Sequence, residues 1–105
     1  MQVQVNSDNH VKMDAASSAA IEADIQHVLS RFAGHLTRVE IHLSDLDANK
    51  SGAQDKRCRL EARPAGRQPL SVSADAATVE QAAKGAAEKM KSALDTVFGR
   101  ASGVR

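Results

Sequence analysis

The segment DKRCRLEARPAGR, Asp55 to Arg67, places Lys56, Arg57, Arg59, Arg63 and Arg67 within thirteen residues, opposed by only Asp55 and Glu61. From Arg57 to Arg63 the charged residues fall on odd numbers, and Cys58, Leu60 and Ala62 fall on even ones. A period of two is the signature of a strand with one apolar and one cationic face. The cationic face must meet either water or something anionic. PAGR reads as the turn that ends the strand.

The same alternation recurs on both sides of this segment. MQVQVN sets Val3 and Val5 against Gln2, Gln4 and Asn6, and predicts a short first strand. TRVEIHLSD sets Val39, Ile41 and Leu43 against Arg38, Glu40, His42 and Ser44, and PLSVSA sets Leu70, Val72 and Ala74 against Ser71 and Ser73. Pro69 cannot donate to a ladder, which predicts an edge position for the last strand.

Two segments switch to helical spacing. In AASSAAIEADIQHVLSRFAGH, Ile21, Ile25, Val28, Leu29 and Phe32 share one face, with Asp14, Ser17 or Ser18 as the cap and Gly34 just past the end. In the last segment Thr78 and Gln81 form a capping-box pair, and Val79, Ala83, Ala86, Met90, Leu94 and Val97 make an apolar stripe reaching Phe98 and ending at Gly99. Gly85 weakens this helix by about 1 kcal/mol relative to alanine, a cost consistent with close packing. LDANKSGAQ has no periodicity and is expected to be a mobile loop.

The expected order is β-α-β-β-β-α. A helical crossover makes the first two strands parallel with right-handed connection, and the last three form an antiparallel meander. Each helix has one apolar stripe and the strands share one apolar face, so two layers suffice. The expected class is α+β, a two-layer sandwich whose four-stranded mixed sheet carries both helices on one face.

Composition fits a single domain, residues 1–100, with 101–105 as a flexible tail. The chain has 105 residues, 42% hydrophobic and 26% charged, and 19 of its 44 apolar residues are alanine. The core is therefore expected to be thin. No run of about 20 apolar residues exists to span a membrane, and no basic-then-apolar leader pattern opens the chain. A single cysteine rules out an internal disulfide and suits a cytoplasmic setting. The net charge is +1, but residues 1–55 carry −4 and residues 56–105 carry +5. Any attraction to polyanions must be local.

Enzymatic chemistry has little support. Cys58 falls on the inward face with no paired His or Asp, as a small buried hydrophobe would. His10, His27, His35 and His42 occupy separate elements without ligand spacing, so no metal is expected. No glycine loop is built for phosphate, and no cofactor or small-molecule substrate is expected.

The element order and these segments together resemble the ribosome hibernation-promoting factor and ribosome-associated inhibitor family, the sigma-factor modulation proteins. The resemblance covers roughly residues 1–100. It rests on MQVQVNSDNH, HVLSRFAGHLTRVEIHLSD, DKRCRLEARPAGRQPLSVSA and ATVEQAAKGAAEKMKSALD, most distinctively on VEIHLSD…DKRCRLEARPAG. It implies a fold akin to a double-stranded-RNA-binding domain with an added strand. It also implies lodging on the small ribosomal subunit, in the messenger and transfer RNA channel, where contact with ribosomal RNA inhibits translation under stress. The last helix mixes signs where family members tend to be lysine-rich. The chain also resembles the short type, without the dedicated dimerisation domain that pairs ribosomes.

The candidate RNA-binding residues are Arg57, Arg59 and Arg63 on the outward row, Arg67 at the turn, and Arg38 and His42 on the neighbouring strand. Arginine forks bind phosphate bidentately, and alternate strand residues lie about 6.6–7 Å apart, similar to phosphate spacing. A solvated sheet face, with Glu40 and Glu61 pairing across strands, is the plainer reading of the residues alone. The resemblance reverses that order. Lys84, Lys89 and Lys91 extend the basic surface, or else serve Glu80–Lys84 and Lys91–Asp95 pairs worth about 0.2–0.5 kcal/mol each. No outward aromatic offers a platform for single-stranded bases, so any RNA is held by backbone and shape. The alternative is a non-catalytic protein-interaction module docking through the open sheet face; an enzyme ranks below both.

Overall fold

Each period-two segment forms a strand in the computed structural model, which describes residues 1–8, 11, 13–46 and 55–99. The strands are β1 (Gln2–Ser7), β2 (Leu36–Asp45), β3 (Lys56–Pro64) and β4 (Leu70–Ala76), and the helices are α1 (Ala15–Val28) and α2 (Val79–Leu94). The sheet order is β1-β2-β3-β4, parallel between β1 and β2 and antiparallel thereafter. β4 is an edge, as expected, although Pro69 falls just before the strand and the inner strand β3 itself ends on Pro64. The loop beyond Leu46 and the C-terminal tail lie outside the described residues, as does His10.

The alternation decides which side chains are buried. Val39, Ile41, Leu43, Cys58, Leu60 and Ala62 all point into the core and are essentially inaccessible. Against them α1 lays Ile21 and Ile25, while α2 lays Ala82, Ala83, Ala86, Ala87, Met90 and Leu94. Val11, Leu36 and Pro64, outside every predicted inward set, are buried too.

Small residues let α2 approach closely. A Cβ added at Gly85 would stand 3.1 Å from the Cβ of Ala74, so the glycine's lost helix propensity is exchanged for contact with β4. The β3–β4 turn has Gly66 at φ +72°, a left-handed conformation that favours glycine.

Caps fall where the sequence allows them. The Thr78 hydroxyl accepts from the Gln81 amide at 3.1 Å, and of the three candidates for α1 Asp14 serves, accepting from the Ser17 amide at 2.7 Å. The predicted first helix is shorter than its apolar stripe. It ends at Val28 and tightens into a 3₁₀ segment over Ser30–His35, with the Phe32 amide donating to the Leu29 carbonyl. Three residues per turn put Phe32 directly above Leu29, so both remain in the core despite the change of helix type.

Candidate functional site

With both helices on one side, the other side of the sheet is uncovered. Its side chains form rows across the strands, set by the pairing register. The first row is Gln2, Arg38 and Arg63; the second is Gln4, Glu40, Glu61 and Ser71. The third is Asn6, His42, Arg59 and Ser73; the fourth is Ser44, Arg57 and Asp75. Charge is therefore banded: cationic, anionic, cationic (in full only when His42 is protonated), then a row containing one charge of each sign.

Like charges face one another in the first two rows, an arrangement that by itself destabilises a sheet. Pairing along each strand relieves it. Arg38 Nε donates to Glu40 at 2.7 Å and Arg63 lies 3.4 Å from Glu61. Arg38 also donates to the Gln4 side chain, and His42 Nε2 lies 3.3 Å from the second Glu40 oxygen. The hydrogen bond from Arg38, reinforced by the charges of Arg38, Arg63 and His42, holds the Glu40 carboxyl below its ordinary range. Glu40 and Glu61 thus pair within their own strands, where cross-strand pairing was expected.

The fourth row is the most tightly neutralised. Arg57 donates two hydrogen bonds to Asp75, at 2.7 and 3.1 Å, forming a bidentate fork. These bonds depress the Asp75 carboxyl and raise the Arg57 guanidinium. Arg59 differs from the other sheet-face arginines: among the described residues it forms no ion pair, and its cross-strand neighbours are His42 and Ser73. A hollow beside it, about 440 Å³, is lined by Asn6, Ser7, Asp8, His42, Leu43, Ser44, Arg57 and Arg59, so one carboxylate shares it with the two arginines.

The nine candidate residues consequently divide. Arg38, His42, Arg57, Arg59 and Arg63 share the open face. Arg67 does not: its guanidinium lies 5.1 Å from the ring centroid of Phe98, in the π-helical turn Asp95–Gly99 that follows α2, where His35 stacks on the same ring. Lys84 lines a groove between α1 and α2, on the opposite side of the molecule from the sheet face. Lys89 turns toward the sheet edge, donating to the Ser73 carbonyl at 2.8 Å, and Lys91 is half-buried on α2. The expected Lys91–Asp95 pair does not form, because Asp95 pairs with Arg31; no Glu80–Lys84 ion pair forms among the described residues either. Asp75 was missed altogether, although Ser71, Ser73, Asp75 continues the outward alternation by one step.

Cys58 is fully buried, and burial pushes its thiol up to about 12, where the thiolate is absent at neutral pH. Among the described residues no three His, Cys, Asp or Glu side chains cluster to hold a metal, and no helix is long and apolar enough to cross a membrane.

The domain is thus a two-layer α+β fold with one sheet face bare of helices and banded in charge. Residues 3–101 match the family described as sigma 54 modulation protein / S30EA ribosomal protein, and the chain belongs to that family, one of non-catalytic ribosome-associated factors of the hibernation type. Two solved structures share the fold. The N-terminal domain of Thermus thermophilus Protein Y superposes with a TM-score of 0.71 at 14% identity, covering 92% of this chain and 99% of that one. A ribosomal subunit interface protein from Coxiella burnetii gives 0.70 at 12% identity, covering 94% and 99%. No curated protein sequence matches the chain.

Proposed function

We propose that residues 1–100 act as one ribosome-binding domain in the cytoplasm, which lays its open sheet face on ribosomal RNA of the small subunit and silences translation under stress by occupying a site that messenger or transfer RNA would use. The observation that carries this reading is the uncovered face on which Arg38, Arg59 and Arg63 stand beside His42, in a chain of a ribosome-associated family. The mechanism needs surface shape and charge, with no bond made or broken.

Arg59 is the principal phosphate contact, because no carboxylate must first be displaced from it. Arg38 and Arg63 share their guanidiniums with Glu40 and Glu61; the exposed Arg63–Glu61 pair exchanges readily for a phosphate, the half-buried Arg38–Glu40 pair less so. Arg57 contributes least while Asp75 holds it.

Co-sedimentation with purified small subunits over a salt series tests the reading. Each phosphate contact steepens the log–log salt dependence by about 0.9 on the duplex coefficient, so replacing Arg59 and Arg63 with alanine should weaken binding and flatten the slope by about two. Unchanged co-sedimentation of that double variant rejects the face. Retained binding to subunits with loss of binding to protein-free ribosomal RNA would favour a protein-docking module instead.

A further inference from the structure

The banding of the sheet face constrains what kind of RNA can lie on it, an inference that rests on the reading above. A single phosphate chain running along β3 from Arg59 to Arg63 would pass directly over Glu61, and running along β2 from His42 to Arg38 it would pass over Glu40. Either path sets phosphate against carboxylate, with the second acid alongside, since Glu40 and Glu61 are register partners. A polyanion avoids the acids only by running across the strands, along a row. Two such rows are available, Arg38 with Arg63 and His42 with Arg59. They are four residues apart on both strands, about 13 Å at 3.3 Å per residue.

We propose that the face straddles the minor groove of a double-stranded RNA segment, with Arg38 and Arg63 on one phosphate strand, Arg59 and His42 on the other, and Glu40 and Glu61 over the groove between them. The wide, shallow minor groove of A-form RNA presents 2′-hydroxyls, which are donors as well as acceptors, to whatever lies above it. A carboxylate accepts only, so the acidic row meets a surface that can donate to it. DNA offers no equivalent: its minor groove is only about 6 Å wide, and its major groove, about 12 Å wide, carries no hydroxyl. Glu40 has both oxygens engaged, by Arg38 and His42, whereas Glu61 has a single contact, with Arg63 at 3.4 Å. Glu61 is therefore the residue that tells RNA from DNA.

Fluorescence anisotropy at one salt concentration, with an RNA duplex, the DNA duplex of the same sequence and one RNA strand alone, tests this directly. The unsubstituted protein should bind the RNA duplex tightest. Glu61→Ala should reduce the RNA-over-DNA preference about tenfold, the loss expected for a hydrogen bond to a charged group. Glu61→Gln, which keeps an acceptor oxygen, should retain part of that preference. The inference is overturned if Glu61→Ala and Glu61→Gln tighten binding to both duplexes alike, as loss of a repelling charge alone would do. A preference of the unsubstituted protein for the single strand overturns it as well. These outcomes leave small-subunit binding by the arginines intact, whereas a subunit-binding Arg59/Arg63 double variant removes the functional reading itself.

Discussion

The two faces of β3 differ although the same nine residues make both. Cys58, Leu60 and Ala62 are shut away entirely, and their roles follow from burial alone. Arg57, Arg59 and Arg63 stand in solvent, and what each can do depends on which neighbour the register brings to it: Asp75 for Arg57, His42 and Ser73 for Arg59, Arg38 for Arg63. A buried face is specified by composition, and an exposed charged face by pairing.

The largest effect that should separate the faces comes from Leu60→Ala, which removes a fully buried side chain and should cost about 2–5 kcal/mol in urea denaturation. Arg59→Ala, one position away, should stay within about 0.5 kcal/mol while impairing small-subunit binding. Equal destabilisation by the two would break the comparison. Gly85→Leu sharpens the inner side from the helix layer: the space above Ala74 is already filled, and overpacking should cost about 1–3 kcal/mol, read as a lowered Tm. Thr78→Ala should cost about 1 kcal/mol by leaving the Gln81 amide uncapped.

The smallest stability effect belongs to the outer face. The Asp75 carboxyl titrates below its unfolded value because Arg57 donates to it, so the stability it adds is present above the unfolded pKa and is lost as pH falls through the depressed one. Asp75→Asn should flatten acid denaturation in that window, and should strengthen binding to small subunits by freeing Arg57. Weaker binding by this variant would contradict the view that Asp75 restrains Arg57. Cys58 supplies a null effect: its thiol should not react with a disulfide reagent until the protein unfolds, and reaction at the native rate of a free thiol would place it outside the core.

Element types, strand order and the open face were legible because periods of two and 3.6 leave direct marks on sequence. So was the Thr78 cap. The end of α1 was not, since a 3₁₀ segment keeps Leu29 and Phe32 on one side as well as an α-helix does. The site was legible only as a set of outward residues. That Glu40 faces Glu61, and Arg38 faces Arg63, follows from register, which loop geometry and packing fix together. Arg67 lies at the turn, as expected, but its contact with Phe98 could not be read from local sequence, because the two residues are far apart along the chain. Asp75 was lost by ending β4 at Ala74, two residues early, an error that concealed the one bidentate clasp among the described residues of the face.

Lys89 carries a consequence of another kind. β4 is an outer strand, and the carbonyls along such a margin can template the addition of a strand from a second copy. By reaching down from α2 to occupy the Ser73 carbonyl with an ammonium group, Lys89 removes an acceptor and leaves a positive charge in the path of an incoming chain. The outer edge of the sheet is thereby blunted against the pairing of a further strand at that position.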